Sequence, residues 1–445
     1  MAGGTYTPGV NKIQPGVYTN IRSGRTAPTP TRRGIVLLLL LAPTWGASGI
    51  VPVLADNPDV AFPQLGFRPS MDQGEDAIRI RLALKRAERV LALIVQGESG
   101  VPATASLAGA TFTAACTGTL GNRFKLVSAA QPDTTYTVRL LLGAEELLRY
   151  EGLNTIGDLM AASAGNPWIV VTGDEDEPLT ETAGLPCTGG TNATVTGDTV
   201  VAALAALDGQ RFDVLCVPSN DTAVQQATLA KVKQMRDSNG VPVRVAMPNF
   251  SADYAPLTNV TNGFSDIDGE HSASIACAWA AGGRAACTAA QDLTHSVVEG
   301  ATGIVDAKAD QDAAILAGEF FFGRDAAGNV VSYYDINSLT TFTDGQDERF
   351  RKNRVLSVFD ELTTRLQLAF PPGKFTNSSA DISAREGLGT QLLLQMQEEG
   401  VITNVDEEND FVVDRVNSHD DQTYITIGIQ PLDSVAKTYI DAVVQ

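Results

Sequence analysis

The 445-residue chain is 44% hydrophobic and carries 52 Asp and Glu against 32 Lys and Arg, a formal net charge of −20. This composition supplies core material for about three domain equivalents and excludes a disordered chain. The acidic balance argues against nucleic acid as a partner, because neutralising phosphates takes Lys and Arg.

Residues 1–30 read as an extended N-terminal arm. Pro8, Pro15, Pro28 and Pro30 block a long helix. Ile13, Val17, Tyr18 and Ile21 are too thinly spaced to make a core, and ~30 extended residues reach up to ~100 Å. Up to Arg33 the charge is one-sided, with Lys12, Arg22, Arg25, Arg32 and Arg33 and no Asp or Glu. Residues 31–89 are expected to be the N-terminal part of a core. The apolar run Ile35–Leu41 lies too far in for a signal sequence. It is also far short of the ~20 residues that span a bilayer. It reads as a buried strand, and no membrane insertion is expected. Residues 76–89 read as an Arg-rich amphipathic helix or a strand pair.

Residues 90–165 read as a β-sandwich-like insertion. Short β-prone runs at 90–95, 111–115, 123–127 and 135–142 are separated by Gly, Pro and Ser. A helical segment is expected over 147–162. Residues 166–344 read as an α/β middle domain. A strand is expected at 168–172, and further on another at 212–218. A helix over 221–238 then opens on the capping residues Asp221 and Thr222, and a strand follows at 241–247. This is a βαβ pattern that calls for a parallel sheet. Residues 273–290 are dense in Ala and Gly around Trp279 and read as a closely packed core helix.

Residues 345–436 read as a C-terminal α+β domain. Phe350, Val355, Val358, Phe359, Leu362 and Leu366 recur at helical spacing until Pro371 and Pro372. A second helix over 380–399 ends before Gly400. After the acidic patch Asp406, Glu407, Glu408 and Asp410 comes a strand-like run over 424–430. Residues 437–445 read as a C-terminal arm strand. The fold class is therefore a multidomain α+β and α/β chain, with an α/β middle, a β-sandwich-like insertion, a C-terminal α+β domain and two extended arms.

Chemistry is sparse. The cysteines Cys116, Cys187, Cys216, Cys277 and Cys287 are odd in number and form no C-x-x-C, which suits a reducing compartment. His271, His295 and His419 are isolated and read as structural or surface residues. There is no P-loop, no G-x-G-x-x-G and no G-x-S-x-G. Residues 265–269 (S-D-I-D-G) set two carboxylates beside a glycine, but without a third ligand position or a closing Glu they read as a turn. No catalytic residue, cofactor or metal is assigned.

The ends are more informative. Eleven acids between Glu398 and Gln445 face only Arg415 and Lys437, so the two ends of the chain have opposite sign. A terminal strand that finds no partner at home invites pairing with another chain. Opposite charges favour head-to-tail pairing, which closes rings or propagates helices.

At this point the sequence resembles a family. It is similar to the contractile tail sheath proteins of bacteriophages and phage-like injection particles. The similarity runs through Q-P-G-V-Y-T-N at 14–20, D-I-N-S-L-T-T at 335–341, F-R-K-N-R-V-L at 350–356 and I-Q-P-L-D-S-V-A-K-T-Y at 429–439. The Ala/Gly helix around Trp279 and residues 300–305 also look like the family's middle section. Residues 45–200 match only as a β-insertion, and the long apolar run at 35–41 is a departure from the pattern.

The resemblance implies a structural subunit. Subunits would stack as a six-fold helical polymer around an inner tail tube and exchange arm strands. They would contract to drive the tube through a cell envelope. Partners would be other copies, the tube protein, and baseplate and tail terminator proteins. The location would be a virion tail assembled in the host bacterial cytoplasm. Carried over by residue, the N-terminal arm strand would be Gly16, Val17, Tyr18, Thr19 and Asn20. The C-terminal arm and receiving strand would use Tyr424, Ile425, Ile427, Ile429, Tyr439, Ile440, Val443 and Val444. Arg349, Arg351, Lys352 and Arg354 would face the tube. Two rival readings stand beside it: an α/β enzyme with an accessory β-domain, which needs a pocket of convergent polar groups at the strand C-termini, and a self-assembling surface-layer protein.

Overall fold

The computed structural model describes residues 2–4, 16–18, 34–107 and 109–439. The chain divides into two compact units, one formed by residues 1–31 and 361–432, the other by residues 32–360 and 433–445.

The larger unit is organised by a seven-stranded sheet. Its order is Glu319–Phe320, Leu257–Val260, Arg244–Pro248, Val214–Cys216, Ile35–Leu41, Arg89–Val95 and Gly49–Leu54. All neighbours are parallel except the last pair. Ile35–Leu41 is the buried strand that its composition predicts. Val36, Leu38 and Leu40 enter one core, while Leu37 and Leu39 enter another on the opposite face. A strand covered on both faces needs no polar alternation, which is why the run is continuously apolar. The helices Glu75–Leu84 and Ala273–Ala286 pack on the first face, and Gly197–Ala205 and Thr222–Lys233 on the second. Asp221 caps the Thr222–Lys233 helix by accepting from the N–H groups of Ala223 and Val224, as expected of that residue. Gly282 matters because a Cβ there would lie 2.3 Å from the carbonyl oxygen of Ala83. The Ala/Gly composition of residues 273–286 thus lets two helices touch backbone to backbone.

Three expectations are corrected. The β-insertion does not end at residue 165: Ile169–Thr172, read as a strand of the α/β middle domain, pairs with Ala110–Ala114, and Thr182–Pro186 pairs with Phe124–Ala130. Residues 90–95, read as the first run of the β-insertion, form a strand paired in parallel with Ile35–Leu41 along its whole length. Its apolar run is double-faced core, not half-buried sandwich. Residues 147–153, read as the start of a helix, instead belong to the strand Glu145–Leu153, paired antiparallel with Tyr136–Leu142. Only Ile156–Ala162 is helical, and it starts at a capping box on Thr155. Cross-strand pairing outweighed the helical propensity of Glu and Leu there.

The β-insertion itself holds a four-stranded and a three-stranded antiparallel sheet. Their shared core is completed by two residues from outside it. Trp45 lies 5.3 Å from Phe124 and 5.5 Å from Trp168, and Phe62 lies 5.0 Å from Trp168, centroid to centroid.

The smaller unit is built differently. The helix Asn353–Ala369 enters it at Glu361, followed by Ser379–Glu398. Two short antiparallel pairs complete it, Ile402–Thr403 with Gln430–Pro431 and Phe411–Val413 with Ile425–Ile427. Near the N-terminus, Ala2–Gly4 and Gly16–Tyr18 pair in parallel. Among the described residues no helix is long and apolar enough to cross a membrane.

Candidate functional site: the terminal strands and their anchor

The D-I-N-S-L-T-T and F-R-K-N-R-V-L segments meet in the larger unit as one hydrogen-bonded knot. Asp335 is buried and accepts from Arg284 Nη1 at 2.6 Å, the Leu293 N–H at 2.9 Å and Asn353 Nδ2 at 2.8 Å. Asn337 donates through Nδ2 to the Phe350 carbonyl at 2.8 Å, and its N–H to the Arg351 carbonyl at 2.8 Å. Ser338 bonds both backbone groups of Tyr254. The N–H groups of Thr340 and Thr341 converge on Asp253 at 2.6 and 2.9 Å, and these two bonds hold its carboxyl down at about 2. The start of the long helix is thereby fixed to the sheet.

A second anchor is ionic. Asp360 accepts from Arg244 Nε at 2.8 Å and from Arg236 Nη2, while Arg244 also reaches Ser357 Oγ at 3.0 Å and the Asn353 carbonyl at 3.2 Å. Burial pulls the Arg244 guanidinium down to about 10, with Asp360 opposing that pull, so it stays charged at neutral pH. Sequence reading missed this group. Its signal was a lone Arg inside the apolar run 241–248 and a lone Asp on the apolar face of a helix, since buried charges require partners.

In the smaller unit Arg385 donates to Thr423 Oγ1 at 2.6 Å, the Thr376 carbonyl at 3.1 Å and Asn377 Oδ1 at 3.0 Å. These bonds tie the start of the 424–430 run to the Ser379–Glu398 helix. Of that run, Ile425 and Ile427 lie in the strand paired with Phe411–Val413; Tyr424 precedes it and Ile429 lies between the two pairs. Each pair is only two or three residues long, and among the described residues neither sheet has a third strand. A groove of about 560 Å³ runs between the helix and the Phe411–Val413 strand, floored by Leu394, Phe411 and Val412 and rimmed by Glu386, Glu407 and Glu408.

The remaining site residues are placed as follows. Gly16, Val17 and Tyr18 lie in a strand, and Thr19 and Asn20 fall outside the described residues. Residues 437–439 carry no strand and Tyr439 is 90% exposed, while Ile440, Val443 and Val444 fall outside the described residues. Of the four cations, Arg349 is exposed and paired with Asp347 at 2.7 Å. Arg351 reaches the carbonyl of Ile315. Lys352 pairs with Asp433, and Arg354 Nη1 donates to Ser434 Oγ at 2.7 Å.

An enzyme reading asks for convergent polar groups at the sheet's carboxyl edge. A cleft of about 590 Å³ does lie at the end of the Ile35–Leu41 strand, but five of its charged residues are tied up in ion pairs with one another. Arg68 pairs with Glu145, and Arg79 with Glu75 and Asp76. The S-D-I-D-G segment is a hairpin turn whose carboxylates are taken by His271, Lys85 and Arg81. Among the described residues no group of three or more His, Cys, Asp or Glu could hold a metal ion.

The fold is that of a multidomain α/β protein with several small sheets, and comparison with known proteins supplies the family. Residues 193–338 match the model of the phage tail sheath protein central domain, and residues 345–445 that of the phage tail sheath C-terminal domain. The phage-like element PBSX protein XkdK of Bacillus subtilis is 31% identical over 473 residues, covering 99% of each chain. The crystal structure of the sheath tail protein from Desulfitobacterium hafniense superposes with a TM-score of 0.81 at 29% identity, covering 96% of this chain and 99% of that one. The helical sheath of the anti-feeding prophage in its contracted state shares the fold at 10% identity, with a TM-score of 0.54 over 98% of this chain and 99% of that one. The chain belongs to the phage tail sheath family. It is a structural component of a phage tail or phage-like particle.

Proposed function

We propose that this chain is the repeating subunit of a contractile sheath, polymerised helically around an inner tail tube by exchange of terminal strands. The observation that carries the reading is the pair of two-stranded sheets in the smaller unit, whose outer strand edges have backbone groups to offer. A strand added to such an edge gains ~0.5–1.5 kcal/mol net per hydrogen bond, modest once and large when repeated over a lattice. Charge favours the same pairing. The groove beside Phe411–Val413 is rimmed by Glu407 and Glu408, with Glu386 paired to Arg415, and the first 33 residues carry five cations and no acid.

In this reading Gly16–Asn20 of one copy and the segment from residue 437 onward of another add as strands to the pairs formed along the run that holds Tyr424, Ile425, Ile427 and Ile429. Tyr439, Ile440, Val443 and Val444 are the side chains the C-terminal strand contributes. Exposed Arg349 is the cation best placed to face the tube. Contraction proceeds by rotation of nearly rigid subunits that stay linked through their arms, driven by greater burial between subunits in the contracted state. Baseplate and terminator proteins bind the ends of the polymer, and assembly takes place in the host cytoplasm.

Negative-stain microscopy tests this. The intact chain should give hollow tubes with helical striation. Removal of residues 1–20, or of the last eight residues, should leave a folded, dispersed subunit by circular dichroism and sedimentation. Long sheaths formed after both deletions would sink the strand-exchange reading.

A further inference from the structure

The I-Q-P-L-D-S-V-A-K-T-Y segment changes character within a few residues. Gln430 and Pro431 are strand-paired, and the Leu432 N–H bonds the Val401 carbonyl at 3.0 Å. Among the described residues after Ser434 no comparable contact holds the chain: Val435 is exposed, residues 435–439 have no secondary structure, and Tyr439 is almost wholly exposed. Between these regimes stand Asp433 and Ser434, each gripped by a side chain of the F-R-K-N-R-V-L segment. Lys352 Nζ pairs with Asp433 Oδ2, and Arg354 Nη1 donates to Ser434 Oγ at 2.7 Å.

The two gripping residues stand on a fixed base. The Lys352 backbone bridges antiparallel to Ile336, and its N–H bonds the Arg349 carbonyl at 3.1 Å. The carbonyl of preceding Arg351 accepts from Asn337, and the following residue, Asn353, is bonded to buried Asp335. A small crevice lined by Asp292, Thr294, Tyr334 and Asp335 continues this contact as far as Ala436. Lys352 and Arg354 thus have stems set by the knot and heads on the root of the free segment. They do not reach into open solvent as a tube-contacting cation does; the Lys352 side chain is only 27% exposed.

We infer that Lys352 and Arg354 are positioning residues for the C-terminal arm: they clamp its root at Asp433 and Ser434 so that residues 435–439 leave the subunit in one direction. An arm attached at a fixed point and angle searches a far smaller volume for its docking edge than one free from Leu432, so the clamp raises its effective concentration at the neighbour. This rests on the strand-exchange reading and adds to it which residues aim the strand.

The test uses the full-length chain and the variants Lys352→Ala, Asp433→Ala and the exchanged pair Lys352→Asp with Asp433→Lys. In dispersed subunits, chymotrypsin cleavage after Tyr439 should quicken about two- to fivefold in either single variant, the range a partly exposed ion pair supports. It should return towards the wild-type rate in the exchanged pair. The concentration needed for sheath formation should rise in the single variants and recover with the exchange. Lys352→Arg, which keeps the charge, should behave as wild type and controls for misfolding.

If removing the last eight residues leaves sheaths intact, the strand-exchange reading itself fails. If that removal abolishes sheaths while both single variants assemble and are cleaved as wild type, the clamp alone fails. Single variants that form normal sheaths but no longer retain a tube would also overturn the clamp, in favour of tube contact by Lys352.

Discussion

The two compact units are stabilised on different scales. In the larger one, Ile35–Leu41 and Arg89–Val95 are paired over seven residues and covered by helices on both faces. In the smaller one, the strand pairs run two and three residues. Isolated two-stranded pairs are marginal in water without further strands or a packed helix. Among the described residues the smaller unit's pairs have no third strand. In the strand-exchange proposal, assembly would complete that part of the fold.

That contrast can be broken in three places. The largest effect is expected at Asp360. Replacing it with Ala leaves the Arg236 and Arg244 guanidiniums without their buried counter-charge and should cost about 3–5 kcal/mol, read as a drop in the upper thermal transition of dispersed subunits. A loss below about 1 kcal/mol would mean the ion cluster is not an anchor.

Next is Gly389→Ala, whose Cβ would stand 2.4 Å from the Phe411 ring. It should cost about 1–3 kcal/mol by overpacking and move only the lower transition, that of the smaller unit. A shift in both transitions would show that the units do not melt separately.

The smallest effect is at Asp253, whose carboxyl is held at about 2 by the Thr340 and Thr341 N–H groups. Its folded value lies below the ordinary ~4, so its contribution is complete above pH ~4 and fades as pH falls towards ~2. The group is mostly solvent-facing, so no more than about 1 kcal/mol is expected. Asp253→Asn should be less stable than wild type at neutral pH and equal to it near pH 2 by urea denaturation; a gap that persists in acid would assign the effect to something other than the charge.

What the sequence discloses follows the range of the interaction that decides each element. The buried strand at 35–41, the Asp221 cap and the helix ending before Gly400 are settled by neighbours in sequence, and periodicity and capping chemistry expose them. The strand at 89–95 was legible as a strand but not as a member of the large sheet, because its partner lies some fifty residues upstream. The strand Glu145–Leu153 was lost to local propensity even though its partner, Tyr136–Leu142, is the adjacent arm of a tight hairpin. At the candidate site, the run 424–430 could be read from its alternation. The roles of Lys352 and Arg354 could not, since a cation that meets solvent and one that meets Asp433 look alike until the chain is folded.

The placement of Trp45 and Phe62 has a practical consequence for anyone redesigning the particle. The β-insertion looks like a module to be excised or swapped, yet its aromatic core borrows these two rings from the α/β scaffold. A clean excision between residues 96 and 195 would strip their cover and leave a greasy scar on the scaffold, inviting aggregation. Cargo is better grafted at the exposed tips, such as the turn at 131–134 or the acidic loop at 174–177, where the borrowed rings stay covered.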